Sequence, residues 1–142
     1  MIRKTALLSC PPERAFELFT KQASEWWPEA RRHTKDPRSE IRLQPSGRFW
    51  EQAADGHAVE LGRVRAWEPP HRLVLDFYPG TDPDHPTEVV ITFAAEGHGT
   101  RVIVDHGPTP ESADLWSLRV ARFDQSWDAV LEGLARASGG EA

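Results

Sequence analysis

Between Glu40 and His106 apolar side chains recur at every second residue, and beyond His106 they recur at every third or fourth. No single kind of element satisfies both periods: the first belongs to pleated strands, the second to one face of a helix. Ile41 and Leu43 share a strand face, as do Phe49 and Glu51, then Leu73, Leu75 and Phe77, then Val102, Val104 and His106. Asp55-Gly56 is a hairpin signal between two such runs, and Glu96-Gly97-His98-Gly99 turns the last hairpin. Glu68-Pro69-Pro70 ends a strand, because proline has no N–H to give to a ladder. Val120, Phe123, Trp127, Val130, Leu131 and Leu134 then keep one apolar stripe over about four turns, with Arg119, Arg122, Asp124, Asp128 and Glu132 opposite.

Ahead of this stretch, Ile2 to Ser9 alternates as a first strand. Pro11-Pro12-Glu13 opens a helix whose apolar face is Pro12, Ala15, Phe16 and Phe19, and a second short helix is expected over Lys21–Trp26, stopped by Pro28. Pro79 to Pro86 is a loop by composition. The expected class is therefore α+β: a curved antiparallel sheet of about seven strands wrapped around a long C-terminal helix, with two short helices after strand 1. Such a sheet has one face to bury, and the long helix is its cover. A chain of 142 residues suits one domain, expected over 1–138, with 139–142 as a disordered tail beginning at Gly139-Gly140.

Charge and residue inventory narrow the function. The net charge of −5, without a long run of either sign, argues against a nucleic-acid partner. Arg31, Arg32, His33, Lys35 and Arg38 form a short basic stretch, which reads first as a solvated loop and second as an anion or partner contact. The single cysteine, Cys10, permits no intrachain disulfide. His33, His57, His71, His85, His98 and His106 never fall two to four residues apart, so no metal and no cofactor is expected. A nucleophile elbow and a phosphate-binding loop are both missing. The apolar run from Ala6 to Cys10 is too short for a signal segment, and no window reaches the roughly 18 apolar residues of a membrane span, so a cytoplasmic protein without a membrane span is expected.

Ordered markers carry a family resemblance: Trp26-Trp27-Pro28, Ser46-Gly47-Arg48-Phe49, Gly62-Arg63-Val64, Trp67-Glu68-Pro69-Pro70-His71-Arg72-Leu73, Gly99-Thr100-Arg101-Val102, His106-Gly107 and Trp127. Over roughly residues 1–136 the chain resembles the activator of heat-shock-protein ATPase homologue-like family of the START-like (SRPBCC) superfamily. Ser46 and Ser126 stand where that family commonly has glycine. The resemblance implies the helix-grip fold, with a cavity between the sheet and the C-terminal helix. It also implies a chaperone as a protein partner, although the extra N-terminal domain of the eukaryotic activator has no counterpart in this chain.

Trp27, Phe49, Leu75, Phe77, Phe93, Phe123 and Trp127 fall on faces that can point between sheet and helix, where they either pack a plain core or line an apolar pocket. Glu51 and His106 follow Phe49 and Val104 inward, so each is a candidate polar anchor of that pocket. The plainer alternatives are a cross-strand arginine for Glu51 and a strand-end hydrogen bond for His106. The expected function is non-catalytic binding of a small apolar or amphipathic molecule. A protein-interaction module related to chaperone ATPase activators, and a cyclase- or hydrolase-like enzyme using a cavity acid or base, are the alternatives. Trp50 and Trp116 have no clear face, and their exposure would suit a homodimer contact.

Overall fold

The computed structural model describes residues 1–45 and 47–139. Seven strands form one antiparallel sheet: β1 (Ile2–Leu8), β2 (Glu40–Leu43), β3 (Arg48–Gln52), β4 (Ala58–Glu68), β5 (Arg72–Phe77), β6 (Thr87–Glu96) and β7 (Gly99–Pro108). Their spatial order is β1-β7-β6-β5-β4-β3-β2, so β2 to β7 form a meander and β1 adds itself to the free edge of β7. Helices α1 (Pro12–Thr20) and α2 (Ala23–Trp26) follow β1, then a 3₁₀ turn at Glu29–Arg31. The long helix α3 (Ala113–Gly139) lies in the curl of the sheet, which gives the α+β helix-grip architecture expected.

The curl has a local cause. In β4 the register slips by one residue at Leu61, between the pairs Phe49–Gly62 and Trp50–Glu60, and again at Arg65, between Val64–Leu75 and Ala66–Val74. Each slip leaves one residue unpaired and sharpens the twist, so one long strand bends twice. Gly62 sits in the first bend, where a Cβ would lie 2.0 Å from the Asp76 carbonyl oxygen; only glycine lets β4 and β5 approach so closely there.

The inner face is continuous from Leu8 through Val102, Val104, Val89, Ile91, Phe93, Leu73 and Leu75 to Phe49. Helix α3 supplies Phe123, Trp127, Val130, Leu131 and Leu134 to it, all within 5% exposure. Each such side chain contributes about 1.5–3 kcal/mol gross on burial, which holds α3 over the stretch from Phe123 to Leu134 rather than at one point. From β1, the Lys4 ammonium reaches Asp124 (2.9 Å) and Asp128 (3.0 Å), tying the polar flank of α3 to the edge strand.

Three boundaries differ from the sequence reading. The second short helix is one turn, Ala23–Trp26, rather than Lys21–Trp26. Helix α3 begins at Ala113, two turns before the apolar stripe, because Ser112 receives the Thr109 N–H (2.9 Å) while its carbonyl accepts from Leu115 and Trp116. It also runs through Gly139, and residues 140–142 of the expected tail lie outside the described residues, as does Ser46 of the expected turn. No helix among the described residues is long and apolar enough to cross a membrane.

Candidate functional site

The space expected between sheet and helix is filled along most of its length. Phe93 packs edge-on against Phe16 (5.3 Å between ring centres) and Phe19 (6.3 Å), and Leu75 is 1% exposed beneath α3. What remains is a cavity of about 350 Å³ at one end, where the loop 27–35, the end of β5 and the middle of α3 converge. Trp27, Phe77, Phe123 and Trp127 give it aromatic walls, and Val130, Pro79 and Ala30 complete the apolar part. Arg31, Arg32, His33, Lys35, Arg122 and Ser126 make the polar part.

Four of the nine expected pocket residues therefore line the cavity: Trp27, Phe77, Phe123 and Trp127. Phe49 stands behind it, stacked on Phe77 at 6.3 Å. Glu51, Leu75, Phe93 and His106 lie in the closed interior, outside the cavity wall.

His106 holds the wall in place. Its Nδ1 accepts the Trp127 indole N–H (3.0 Å), which fixes the proton on Nε2. Nε2 donates to the Thr87 hydroxyl (2.7 Å), and that hydroxyl donates to the Phe77 carbonyl (3.2 Å). The relay joins α3, β7, β6 and β5, holding the Trp127 indole by its N–H and Phe77 by its backbone carbonyl. Phe123, Trp116 and Phe77 enclose the ring at 4.5, 5.2 and 5.3 Å between centres. Burial, with a smaller push from the N-terminal ammonium, lowers the imidazole pKa from 6.5 to about 3, so it stays neutral. The strand-end hydrogen bond read from the sequence is part of this relay, but the ring is fully enclosed rather than at a rim.

Glu51 has a role the sequence did not indicate. Its carboxylate takes no cross-strand arginine. It accepts from the His33 amide (2.7 Å), the Thr34 amide (2.9 Å), the Thr34 hydroxyl (2.6 Å) and the Ser39 hydroxyl (2.9 Å). Burial alone would raise its pKa; the Thr34, His33 and Ser39 hydrogen bonds outweigh that and hold the carboxyl below its ordinary range. Arg32 completes the clamp from the other side. Its guanidinium donates to the Ser39 carbonyl (2.5 Å), the Ser39 hydroxyl (3.1 Å), and the carbonyls of Ser24 (2.7 Å) and Trp27 (3.2 Å). Within the basic stretch read as a solvated loop, Arg32 is folded down and 7% exposed, while His33, Lys35 and Arg38 are exposed as that reading expected.

The remaining wall depends on Gly80. Its φ of +85° favours glycine, and a Cβ there would meet the Phe123 ring at 2.6 Å, so this residue lets Phe123 lie against the Pro79-Gly80 corner. Trp50, without an evident face in the sequence, lies 8% exposed with the Arg48 guanidinium 4.2 Å above its ring. Trp116 is half-buried against His106 and Phe123. Neither is the free aromatic surface that a dimer contact would use. Among the described residues no cluster of three or more His, Cys, Asp or Glu could hold a metal ion.

A curled seven-stranded sheet gripping a C-terminal helix, with an aromatic cavity at its end, defines the helix-grip class. The chain belongs to the family described as Activator of Hsp90 ATPase homolog 1-like protein, whose model matches residues 9–139. Among solved structures, CalC, a self-sacrificing resistance protein from Micromonospora echinospora, is 25% identical with a TM-score of 0.71, covering 99% of this chain and 95% of that one. An anthrahydroquino-γ-pyrone synthase, Txn09, solved complexed with SUM, is 27% identical with a TM-score of 0.60, over 96% and 94%. The Aha1 dimer from Colwellia psychrerythraea, at 16% identity, a TM-score of 0.66 and coverage of 96% and 94%, shares the fold. No curated protein sequence matches this chain.

Proposed function

We propose that this protein binds a small amphipathic molecule with a flat aromatic body in the 350 Å³ cavity, without transforming it. The observation that carries the reading is the wall itself: Trp27, Phe77, Phe123 and Trp127 around one opening, with the Trp127 indole held by His106. The volume falls in the range of small-molecule sites. The likeness to an anthrahydroquino-γ-pyrone synthase supports a flat ligand. An enzymatic reading would have to use His33, the one imidazole in the cavity lining. The two buried candidates are committed elsewhere, Glu51 to four hydrogen bonds and His106 to two. For a chaperone partner the family description is the sole support, and no surface feature adds to it.

A probe burying about 250 Å² of apolar surface gains about 6 kcal/mol gross, which alone corresponds to a Kd of about 40 μM, and association costs weaken binding from that limit. The test is the fluorescence of N-phenyl-1-naphthylamine titrated with protein, beside a Ser126→Trp variant. Ser126 lies on α3 in the cavity wall, half-buried, and an indole there fills the opening. Saturable binding lost in the variant, with its unfolding midpoint kept, is expected. Binding that survives the substitution unchanged would refute this location.

A further inference from the structure

The polar part of the cavity has one sign. Arg31, Arg32, Lys35 and Arg122 line it, with His33 between them, and no aspartate or glutamate does. This is unusual in a chain whose net charge is −5. Many cations elsewhere on the surface are matched, as where Arg3 grips Asp105, Arg48 grips Glu60 and Arg101 grips Glu96, although Lys21, Arg38, Arg63 and Arg119 stand in no ion pair among the described residues. None of the four cavity cations has a carboxylate within salt-bridge distance among the described residues. Glu29 lies within this loop but does not line the cavity; Asp36 follows the loop, and Glu51 is hydrogen-bonded to it. Neither Asp36 nor Glu51 lines the cavity, and both spend their oxygens on loop or strand amides: Asp36 on Arg38 and Ala54, Glu51 on His33 and Thr34.

A second observation points the same way. Among the described residues, two buried side-chain donors have no acceptor, the Trp27 Nε1 and the Arg32 Nε. Both belong to side chains of the cavity wall, 8% and 7% exposed. Unpartnered buried donors are costly and rare in folded proteins, and both of these belong to residues of the same lining, which is short of acceptors.

Resting on the binding reading above, we infer that the ligand is an organic anion: its flat body lies against Trp27, Phe77, Phe123 and Trp127, and its carboxylate- or sulfonate-like group meets Arg31, Lys35 and Arg122. The arrangement suits that chemistry because Lys35 and Arg122 are exposed residues of the lining and come from two different elements, the loop and α3. An anion entering aromatic end first keeps its charge at the rim, where the cations are and where desolvation is least.

The test uses two probes sharing one skeleton, N-phenyl-1-naphthylamine and its sulfonate, 1-anilinonaphthalene-8-sulfonate, on the wild type and on a Lys35→Gln/Arg122→Gln double variant. The sulfonate is expected to lose roughly tenfold in affinity in the variant, the size of one charge-assisted hydrogen bond. The uncharged probe should change less than twofold, and added salt should weaken the sulfonate alone. Sulfonate affinity unchanged in the variant, or falling together with that of the neutral probe, would overturn the anion inference and leave the cavity reading standing. Failure of both probes to bind the wild type would remove the cavity reading, and the anion inference with it.

Discussion

The relay through His106 makes folding stability depend on pH in a way that can be worked out beforehand. The ring titrates at 6.5 in an exposed setting and at about 3 in the fold. Between those values the unfolded chain binds a proton that the folded chain refuses, so stability is complete above about pH 6.5 and drains as the pH falls towards 3. At about 1.4 kcal/mol per pH unit, lowering the pH from about 7.5 to about 5 removes about 2 kcal/mol, and the interval stops above the carboxylate range. His106→Gln provides the control. Its amide can accept from the Trp127 indole and donate to Thr87, as the imidazole does, but it does not titrate. His33 is also held below its ordinary range, by desolvation against the loop, with Glu51 pulling it up and Lys35 pushing it down. Its contribution is common to both proteins and cancels in the difference. Urea unfolding followed by far-ultraviolet circular dichroism at the two pH values gives the comparison. Wild type should lose about 2 kcal/mol more than the variant. Equal losses would show that His106 is not the neutral, enclosed group described here.

Two further substitutions test the parts that shape the cavity. Glu51→Gln replaces an acceptor of four hydrogen bonds with an amide that turns its own N–H groups toward other donors; it should cost about 1–3 kcal/mol and speed amide hydrogen exchange at His33 and Thr34 before the rest of the chain. Gly80→Ala combines a φ of +85° with a Cβ 2.6 Å from the Phe123 ring, so it should push that ring into the cavity and weaken naphthylamine binding more than it lowers the unfolding midpoint.

Much of the fold could be read from the chain because its signals are local. Leu73, Leu75 and Phe77 alternate over a strand whose neighbours also alternate, and Phe123 to Leu134 repeat at helical spacing. The first two turns of α3 were hidden because residues 113 to 122 bury almost nothing, leaving the helix to be set by Ser112 rather than by an apolar stripe. The aromatic half of the site was legible for the same reason that the strands were. Trp27, Phe77, Phe123 and Trp127 are apolar side chains on predictable faces. The basic half was not, although Arg31, Arg32, His33 and Lys35 stand out in the sequence. What folds this loop over the cavity is Glu51, on a strand about 18 residues further on, and nothing in the loop's own composition points to that partner. The inward alternation of Glu51 with Phe49 was the one available clue. It marked a buried carboxylate without saying what would satisfy it.

The central claim is that a flat apolar molecule is held among Trp27, Phe77, Phe123 and Trp127. The most direct test is a titration of nitrogen-15-labelled protein with N-phenyl-1-naphthylamine, following the six tryptophan indole N–H resonances. The account predicts that the Trp27 and Trp127 signals move together and saturate, while Trp50, on the opposite face beneath Arg48, and Trp67, beside Phe16 at the other end of the core, stay where they are. Saturating shifts at Trp67 with none at Trp27 and Trp127 would place the ligand in the groove formed by α1 and Pro69-Pro70, and would contradict the account.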